Sequence, residues 1–202
     1  EGAREALRQV YDGKYVWPVS FEGFGGLDRE GYTVVQGSET IELPHLTLKP
    51  HANYHDWLGG AVGYRFDIPA DDGKTVSVVY TTDLEFEYAK NGQPHEQADE
   101  LKASYVTFVR NADVLMADTQ FIDEEYNYSK KFVRGWGHPT LEQILSLAGQ
   151  AGVKHVIGTH HNPDNNDERM RELEAYAVDK AKSYGVETFS YARDGMRVKL
   201  RR

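Results

Sequence analysis

Short runs in which apolar and β-branched residues alternate with polar ones dominate the first half of the chain. Such period-two patterns predict β-strands, here over residues 32–35, 39–43, 46–49, 61–67 and 76–81. Asp71-Asp72-Gly73 lies between the last two runs and predicts a hairpin turn. A helical pattern over residues 3–11 and a glycine-rich stretch around residues 24–26 come before the strands. The first half is therefore predicted to be mainly antiparallel sheet.

The second half changes rhythm, because longer runs with helical spacing each lead to a short β-branched run. Helices are predicted over residues 97–109, 141–151 and 168–184, and strands over 114–117, 154–158 and 187–190, with a last run over 196–200. No internal repeat or low-complexity linker interrupts the chain. We therefore expect one α/β domain over residues 1–202, with helices covering the outer face of its sheet.

Composition limits the possible chemistry. The chain has 202 residues, of which 40% are apolar and 27% charged, and it contains no cysteine. Thiolate sites and cysteine nucleophiles are thereby excluded, so any metal must be held by His, Asp or Glu. The net charge of −9 argues against broad nucleic-acid binding, which normally needs a basic face.

No apolar stretch approaches the ~20 residues that span a bilayer, and no signal peptide opens the chain. We expect no membrane association and a cytoplasmic location.

Polar residues follow two of the predicted strands directly. Asp83 comes after the run 76–81, and His160 and His161 come after the run 154–158. Side chains beyond the carboxyl ends of strands face the crevice where α/β proteins usually build sites. An aspartate there could bridge two cations and a histidine could complete a coordination shell, but Asp83 could equally be a turn residue. Adjacent histidines point in different directions, so His160 and His161 are not expected to bind the same metal.

His138 lies in the segment Gly135-Trp136-Gly137-His138-Pro139-Thr140. Thr140 followed by Gln143 fits a capping box, which predicts that the next helix begins at Thr140. The free amides of that helix end favour an anion. His138 could therefore contact a phosphate oxygen or protonate a leaving group. The alternative is a structural loop histidine packed on Trp136.

His51 and His55 lie ahead of a glycine-containing segment that leads into the strand predicted over residues 61–67. One of them could be a metal ligand displayed from a loop, and the glycines would let the backbone pass close to the site. The alternative is that both are surface histidines.

Taken in this order, these segments resemble the metallo-β-lactamase superfamily, in the branch of ribonuclease Z and related cyclic-nucleotide phosphodiesterase-like hydrolases. The similarity runs from about residue 45 to the end. It is carried by Gly63-Tyr64-Arg65-Phe66, Tyr80-Thr81-Thr82-Asp83, Ala112-Asp113-Val114-Leu115-Met116-Ala117-Asp118-Thr119-Gln120, Gly135-Trp136-Gly137-His138-Pro139-Thr140, Gly158-Thr159-His160-His161-Asn162-Pro163 and the closing Ala192-Arg193-Asp194-Gly195-Met196, which is similar to the last hairpin of the family.

The resemblance implies the C-terminal portion of a metallo-β-lactamase αββα sandwich, with mixed sheets and outer helices. Its metal ligands would be His55 (with His51 as the alternative), Asp83 as the bridging residue, and His160. His138 would assist the leaving group.

The resemblance further implies a hydrolase with two divalent cations that share Asp83 and activate a water. Zinc suits the His and Asp ligands best, and manganese or iron would also fit. Phosphodiesters are the expected substrates because of His138, which we expect Asp118 to orient. Hydrolysis of a lactone or another ester at the same metals is the rival within enzymes.

One feature of the family is missing: no His-x-His-x-Asp-His cluster occurs in the chain. We interpret the chain as the C-terminal part of a hydrolase whose N-terminal segment carries that cluster, and we expect the isolated chain to be inactive. The alternative is a degenerate, metal-free interaction module. The resemblance also suggests a homodimer.

Overall fold

The computed structural model describes residues 39–55, 60–90, 92–128 and 133–200. Their strands are β1 (Ile41–Leu43), β2 (Leu46–Asn53), β3 (Ala61–Pro69), β4 (Thr75–Thr81), β5 (Val114–Asp118), β6 (His155–Thr159) and β7 (Thr188–Tyr191). Their helices are α1 (Ala98–Phe108), α2 (Asp123–Tyr128), α3 (Leu141–Gln150) and α4 (Asp167–Ser183).

The seven strands form one sheet in which spatial order equals chain order, from β1 to β7. Strands β1 to β4 pair antiparallel because short connections reverse the chain between them. The predicted hairpin between β3 and β4 is present. Gly73 occupies the left-handed region (φ 78°) and donates to the Ala70 carbonyl over 3.0 Å. Only glycine adopts this conformation without strain, so the turn sets the β3–β4 register.

Strands β4 to β7 pair parallel, and helices provide the crossovers between them. Crossovers of this kind are almost always right-handed, so a sheet whose strands advance in one direction receives its helices on one face. The core agrees with this, because Val79, Leu115 and Val156 are neighbours in register across β4, β5 and β6 and are fully buried. Leu141 and Ile144 of α3 are also fully buried in that core.

The start of α3 follows the predicted pattern. The Thr140 side chain accepts a hydrogen bond from the Gln143 backbone N–H (3.2 Å), and the Gln143 side chain accepts one from the Thr140 backbone N–H (3.1 Å). Thr140 also donates to Asp123, the first residue of α2, over 2.6 Å. The capping box was therefore predicted correctly from its spacing. It holds in place the end of the loop that precedes α3.

The expected α/β architecture is confirmed, with differences in its details. Helix α2 was not predicted, because six residues are too few for helical spacing to show. The predicted strand over residues 196–200 is wrong: the chain turns at Asp194-Gly195, and no strand follows it within residues 192–200. Met196 and Val198 are exposed there, and an alternating pattern forms a strand only where a neighbouring strand pairs with it.

The predictions over residues 3–11, 24–26 and 32–35 lie outside the described residues, so the single domain over 1–202 stays a prediction. Within the described part of the chain, no helix is both long and apolar enough to cross a membrane.

Candidate metal centre

The site lies at the edge of the sheet where β4, β5 and β6 end. Asp83 follows β4, Asp118 is the last residue of β5, and His160 follows β6. Parallel register aligns Thr81 with Ala117, and Asp118 with Thr159. Three residues that are far apart in the chain are therefore brought together by the regular geometry of a parallel sheet.

Asp83 and His160 both occupy the left-handed region of backbone conformation, with φ of 55° and 56°. This conformation costs a non-glycine residue about 1–3 kcal/mol, and such strain concentrates at functional sites. It turns each backbone sharply at its strand end, and His160 Nδ1 lies 3.8 Å from Asp83 Oδ1.

Asp118 is the central residue of the site and is completely buried. Its Oδ2 atom lies 2.7 Å from His138 Nδ1 and 3.2 Å from His160 Nδ1, and it accepts a hydrogen bond from the Asp83 backbone N–H over 3.2 Å. Its Oδ1 atom accepts from the Gln120 backbone N–H over 3.1 Å. The predicted contact between Asp118 and His138 is present, whereas the contact with His160 was not foreseen.

The charge of Asp118 determines which nitrogen of His138 donates to it. Burial disfavours the ionised carboxylate, but hydrogen bonds from His138 and His160 outweigh it and hold the pKa of Asp118 below its ordinary value. The ionised carboxylate only accepts, so His138 donates from Nδ1 and its Nε2 atom is left for another partner. The same hydrogen bond from His160 to Asp118 raises the pKa of His160.

His55 faces the same cluster from a position two residues after β2, which ends at Asn53. It is buried, and its Nε2 atom lies 3.9 Å from Asp83 Oδ1. Its Nδ1 atom is also buried and has no hydrogen-bond partner. A cation held between His55 and Asp83 would bind Nε2, because that is the ring nitrogen that faces the Asp83 carboxylate.

His51, the alternative ligand, lies elsewhere. It is part of β2 opposite Gly63, stacks on Phe108 of α1 at a ring distance of 4.5 Å, and pairs with Ser104 over 2.9 Å. His161 also turns away from the cluster, and its Nε2 atom donates to the Ala192 carbonyl over 3.1 Å. Of each ambiguous pair of histidines, the structure brings only His55 and His160 to the cluster.

His138 is not a structural loop histidine packed on Trp136, which was the alternative. Its ring contacts those of His160 (4.6 Å between centroids), His55 (6.0 Å) and Phe121 (6.3 Å), while Trp136 is 45% exposed. Pro139 and the capped start of α3 follow it, so the loop enters the site at a defined point.

Two groups of three residues in the described part have ligand atoms close enough to hold one cation. They are His55, Asp83 and His138, and Asp118, His138 and His160. All five residues predicted for the site therefore lie in one cluster, and His138 belongs to both groups. Imidazole and carboxylate donors suit zinc, manganese or iron, so the chemistry of this donor set fits a cation site.

Gly137 permits the close approach of the His138 loop to His55, and sequence spacing gave no sign of it. A Cβ atom at Gly137 would lie 2.4 Å from the His55 ring, and its φ of 96° is strained for any other residue. We expect Gly137→Ala to lower the free energy of unfolding by about 1–3 kcal/mol and to displace His55. Denaturant unfolding and metal affinity measure the two effects.

Gly73→Ala is the matched control for this substitution. Gly73 also has a left-handed φ of 78°, but a Cβ atom there meets nothing within 4 Å. It isolates backbone strain from the collision with His55, so it should destabilise less and leave metal affinity unchanged. Equal effects of the two substitutions would show that the contact between Gly137 and His55 is unimportant.

Asp118→Asn tests the central carboxylate. If the asparagine side chain keeps its oxygen toward the two histidines, its NH2 group takes the place of Oδ1. That group then faces the Gln120 N–H, so two donors lie against each other. We expect a stability loss of about 1–3 kcal/mol. We also expect a loss of metal affinity or turnover of roughly 10- to 100-fold, because the neutral amide lacks the negative charge that the carboxylate presents to His138 and His160. Asp113→Asn, one residue before β5, is the control, and a similar loss of turnover there would contradict this role for Asp118.

The fold of the described residues matches known structures. The metallo-beta-lactamase fold protein YhfI from Bacillus subtilis aligns with a TM-score of 0.53 over 81% of this chain and 54% of its own, at 17% identity. Unliganded yeast PDE1 aligns with a TM-score of 0.60 over 95% of this chain and 56% of its own, at 16% identity. The chain has the metallo-β-lactamase fold.

At these identities the metallo-β-lactamase fold is what the likeness establishes. The chain spans just over half the length of the two structures. No protein-family model matches the sequence, and comparison with curated proteins finds no relative.

Proposed function

We propose that the protein is a metal-dependent hydrolase of phosphodiester bonds. The observation that carries the proposal is the pairing of His138 with buried Asp118 beside Asp83, His55 and His160. The shared fold with a metallo-beta-lactamase fold protein supports a hydrolase, while the choice of a phosphodiester rests on His138.

The metal would be held by His55, Asp83 and His160, with zinc as the first candidate and two ions as the proposed number. Bound divalent cations supply Lewis acidity, which lowers the pKa of water toward neutrality and offsets charge on the phosphoryl oxygens. The donor set fits these ions because it combines imidazole and carboxylate without thiolate.

His138 has the geometry of a general acid. Asp118 accepts from Nδ1, so the ring is held in one orientation with Nε2 directed to another partner. The negative charge of Asp118 compensates the charge of the protonated ring, as a buried carboxylate does for a catalytic histidine. Donation of a proton from Nε2 to the departing oxygen neutralises it as the bond to phosphorus breaks.

Further ligands are needed for two cations. Each group in the described part offers three side chains, and a two-metal site must hold both ions and leave positions for substrate. We propose that they come from a further segment of the same protein that carries a His-x-His-x-Asp-His cluster, since residues 1–202 contain none. The face of the sheet that bears Tyr80 (41% exposed) and Ile68 (37% exposed) supports this, because an apolar sheet face is normally covered. A second copy of the chain is the other candidate partner.

The proposal is tested with the whole encoded protein, stripped of metal by a chelator and assayed with bis(p-nitrophenyl) phosphate and with a simple lactone. We expect hydrolysis of the phosphodiester after addition of Zn²⁺ or Mn²⁺, and little without metal. Preferential hydrolysis of the lactone would favour the ester-hydrolase alternative. If the protein showed neither activity and bound no metal, the alternative of a metal-free interaction module would be favoured.

A further inference from the structure

Glu85 is a buried carboxylate to which the proposed reaction gives no role. It is 1% exposed and lies two residues after Asp83, in a segment (residues 82–87) that forms neither helix nor strand. Removing a carboxylate from water is costly, and replacing a buried charge by an apolar residue of similar size is often neutral or stabilising. What the carboxylate holds in place is therefore more informative than its burial.

Four donors converge on this carboxylate. Oε1 accepts hydrogen bonds from the backbone N–H groups of Phe86 (3.1 Å) and Glu87 (3.3 Å). Oε2 accepts from the Tyr126 hydroxyl of α2 over 2.8 Å, and the backbone N–H of Gly135 also bonds to the carboxylate. An ionised carboxylate only accepts and has about four lone-pair sites, so these four donors satisfy it completely.

The bond to Gly135 reaches the loop that carries His138. Residues 133–139 form neither helix nor strand, so their backbone N–H groups need acceptors from elsewhere in the molecule. A Cβ atom at Gly135 would collide with the Ala89 carbonyl oxygen, so the loop runs directly against the segment that follows Glu85. This contact and the carboxylate together set the position of Gly135.

The loop is held on both sides of His138. Gly135, three residues before it, is bonded to Glu85, and Thr140, two residues after it, is the capped start of α3. Between these two points, His138 Nδ1 lies 2.7 Å from Asp118 Oδ2. Hydrogen bonds weaken steeply when distance or angle departs from this geometry, so moving either end of the loop changes how the ring is held.

The backbone of Glu85 reaches a further part of the site. Its N–H donates to the carbonyl of Tyr54 over 2.9 Å, and Tyr54 directly precedes His55. Asp83 lies two residues before Glu85 in the same segment. One residue therefore contacts or belongs to the three segments that carry His55, Asp83 and His138.

We propose that Glu85 is a positioning residue for His138: its carboxylate holds the loop through Gly135, so that His138 Nε2 meets the departing oxygen. The inference rests on the proposed hydrolase function and adds to it a residue that does not touch the substrate. A general acid must lie within hydrogen-bond reach of the atom that it protonates. A displacement of about 1 Å caused by a distant substitution can lower a rate by about 10²-fold.

Glu85→Gln tests the proposal in the zinc-loaded whole protein. Glutamine keeps the size of the side chain, but its single oxygen offers two lone pairs to three backbone N–H groups. Phe86 and Glu87 belong to its own segment, so we expect the bond to Gly135 to be lost. Steady-state kinetics should show that kcat for diethyl phosphate falls by about 10²-fold. The loss for bis(p-nitrophenyl) phosphate should be much smaller, because p-nitrophenolate departs without a proton, and metal content should not change.

Proton NMR of the same proteins reports on His138 without substrate. The imidazole proton that His138 donates to Asp118 is assigned by its absence in His138→Ala, and Glu85→Gln should shift or broaden this signal. Asp113→Asn is the matched control, because Asp113 also accepts a backbone N–H from another element, that of Ser77 over 2.9 Å. It lies at the opposite end of β5 from Asp118 and should change neither the signal nor the leaving-group dependence.

Tyr126→Phe removes one of the four donors and leaves the carboxylate in place. It should give the same pattern as Glu85→Gln with a smaller loss, and it decides the question if Glu85→Gln does not fold. Equal losses with both diesters, or an unchanged His138 signal in both variants, would overturn the positioning role. Absence of turnover by the wild-type protein would refute the proposed hydrolase, whereas the His138 signal decides the role of Glu85 by itself.

Discussion

Replacing Asp83 by asparagine should remove metal from the protein and lower kcat/KM for a phosphodiester by about 10³-fold or more. The carboxylate is shared by the contacts to His55 and His160, and a bound cation contributes several kcal/mol of transition-state stabilisation. Asparagine tolerates the left-handed φ of 55° as well as aspartate does, so the fold should persist. Inductively coupled plasma mass spectrometry of the purified variant measures its metal content, and steady-state kinetics measure its kcat/KM.

The matched control is Asp72→Asn in the β3–β4 turn, where the aspartate pairs with Lys74 at the surface. It removes the same charge far from the cluster and should leave metal content and kcat/KM unchanged. An Asp83→Asn variant with normal melting, full metal content and full turnover would show that Asp83 is a turn residue, as its position after a strand also permits.

His138→Ala should reduce phosphodiester turnover by about 10²- to 10⁴-fold while metal content stays at the wild-type level. The loss should depend on the leaving group. An alkoxide needs a proton when it departs, whereas p-nitrophenolate departs readily without one. We therefore expect a much larger loss with an alkyl diester than with bis(p-nitrophenyl) phosphate.

His51→Gln is the control for this variant, because His51 lies in the same domain but bonds to Ser104 of α1. It should change neither turnover nor its dependence on the leaving group. Loss of metal in His138→Ala would instead show that His138 is a metal ligand. Its position allows this, because His138 belongs to both three-residue groups. Equal losses with both diesters would contradict general acid catalysis.

The sequence predicted the parts of the fold that depend on local pattern. The β4 strand, the long helix α4 and the capping box at Thr140 follow from alternation, helical spacing and side-chain chemistry, and the structure contains all three. Asp83 and His160 could be proposed as neighbours because parallel strands end at one edge. These inferences need no knowledge of tertiary contacts.

The remaining features depend on contacts that no local pattern encodes. The choice between His51 and His55 follows from β2 extending to Asn53, which makes His51 a strand residue packed on Phe108. The contact of Asp118 with His160 depends on the β5–β6 register. The contact between Gly137 and His55 depends on how close a glycine lets two segments come. The strand predicted over residues 196–200 is absent, because the alternating pattern there has no partner strand to pair with.

Equilibrium binding of Zn²⁺ and Mn²⁺ to this chain, compared with its Asp83→Asn and His51→Gln variants, tests the metal centre most directly. Each three-residue group can hold one cation, so binding of a single ion needs neither substrate nor the further ligands that a two-metal site requires. We expect saturable binding by the wild-type chain and by His51→Gln, and a loss of that binding in Asp83→Asn. No binding by the wild-type chain, or equal binding by all three proteins, would contradict a metal site at this cluster.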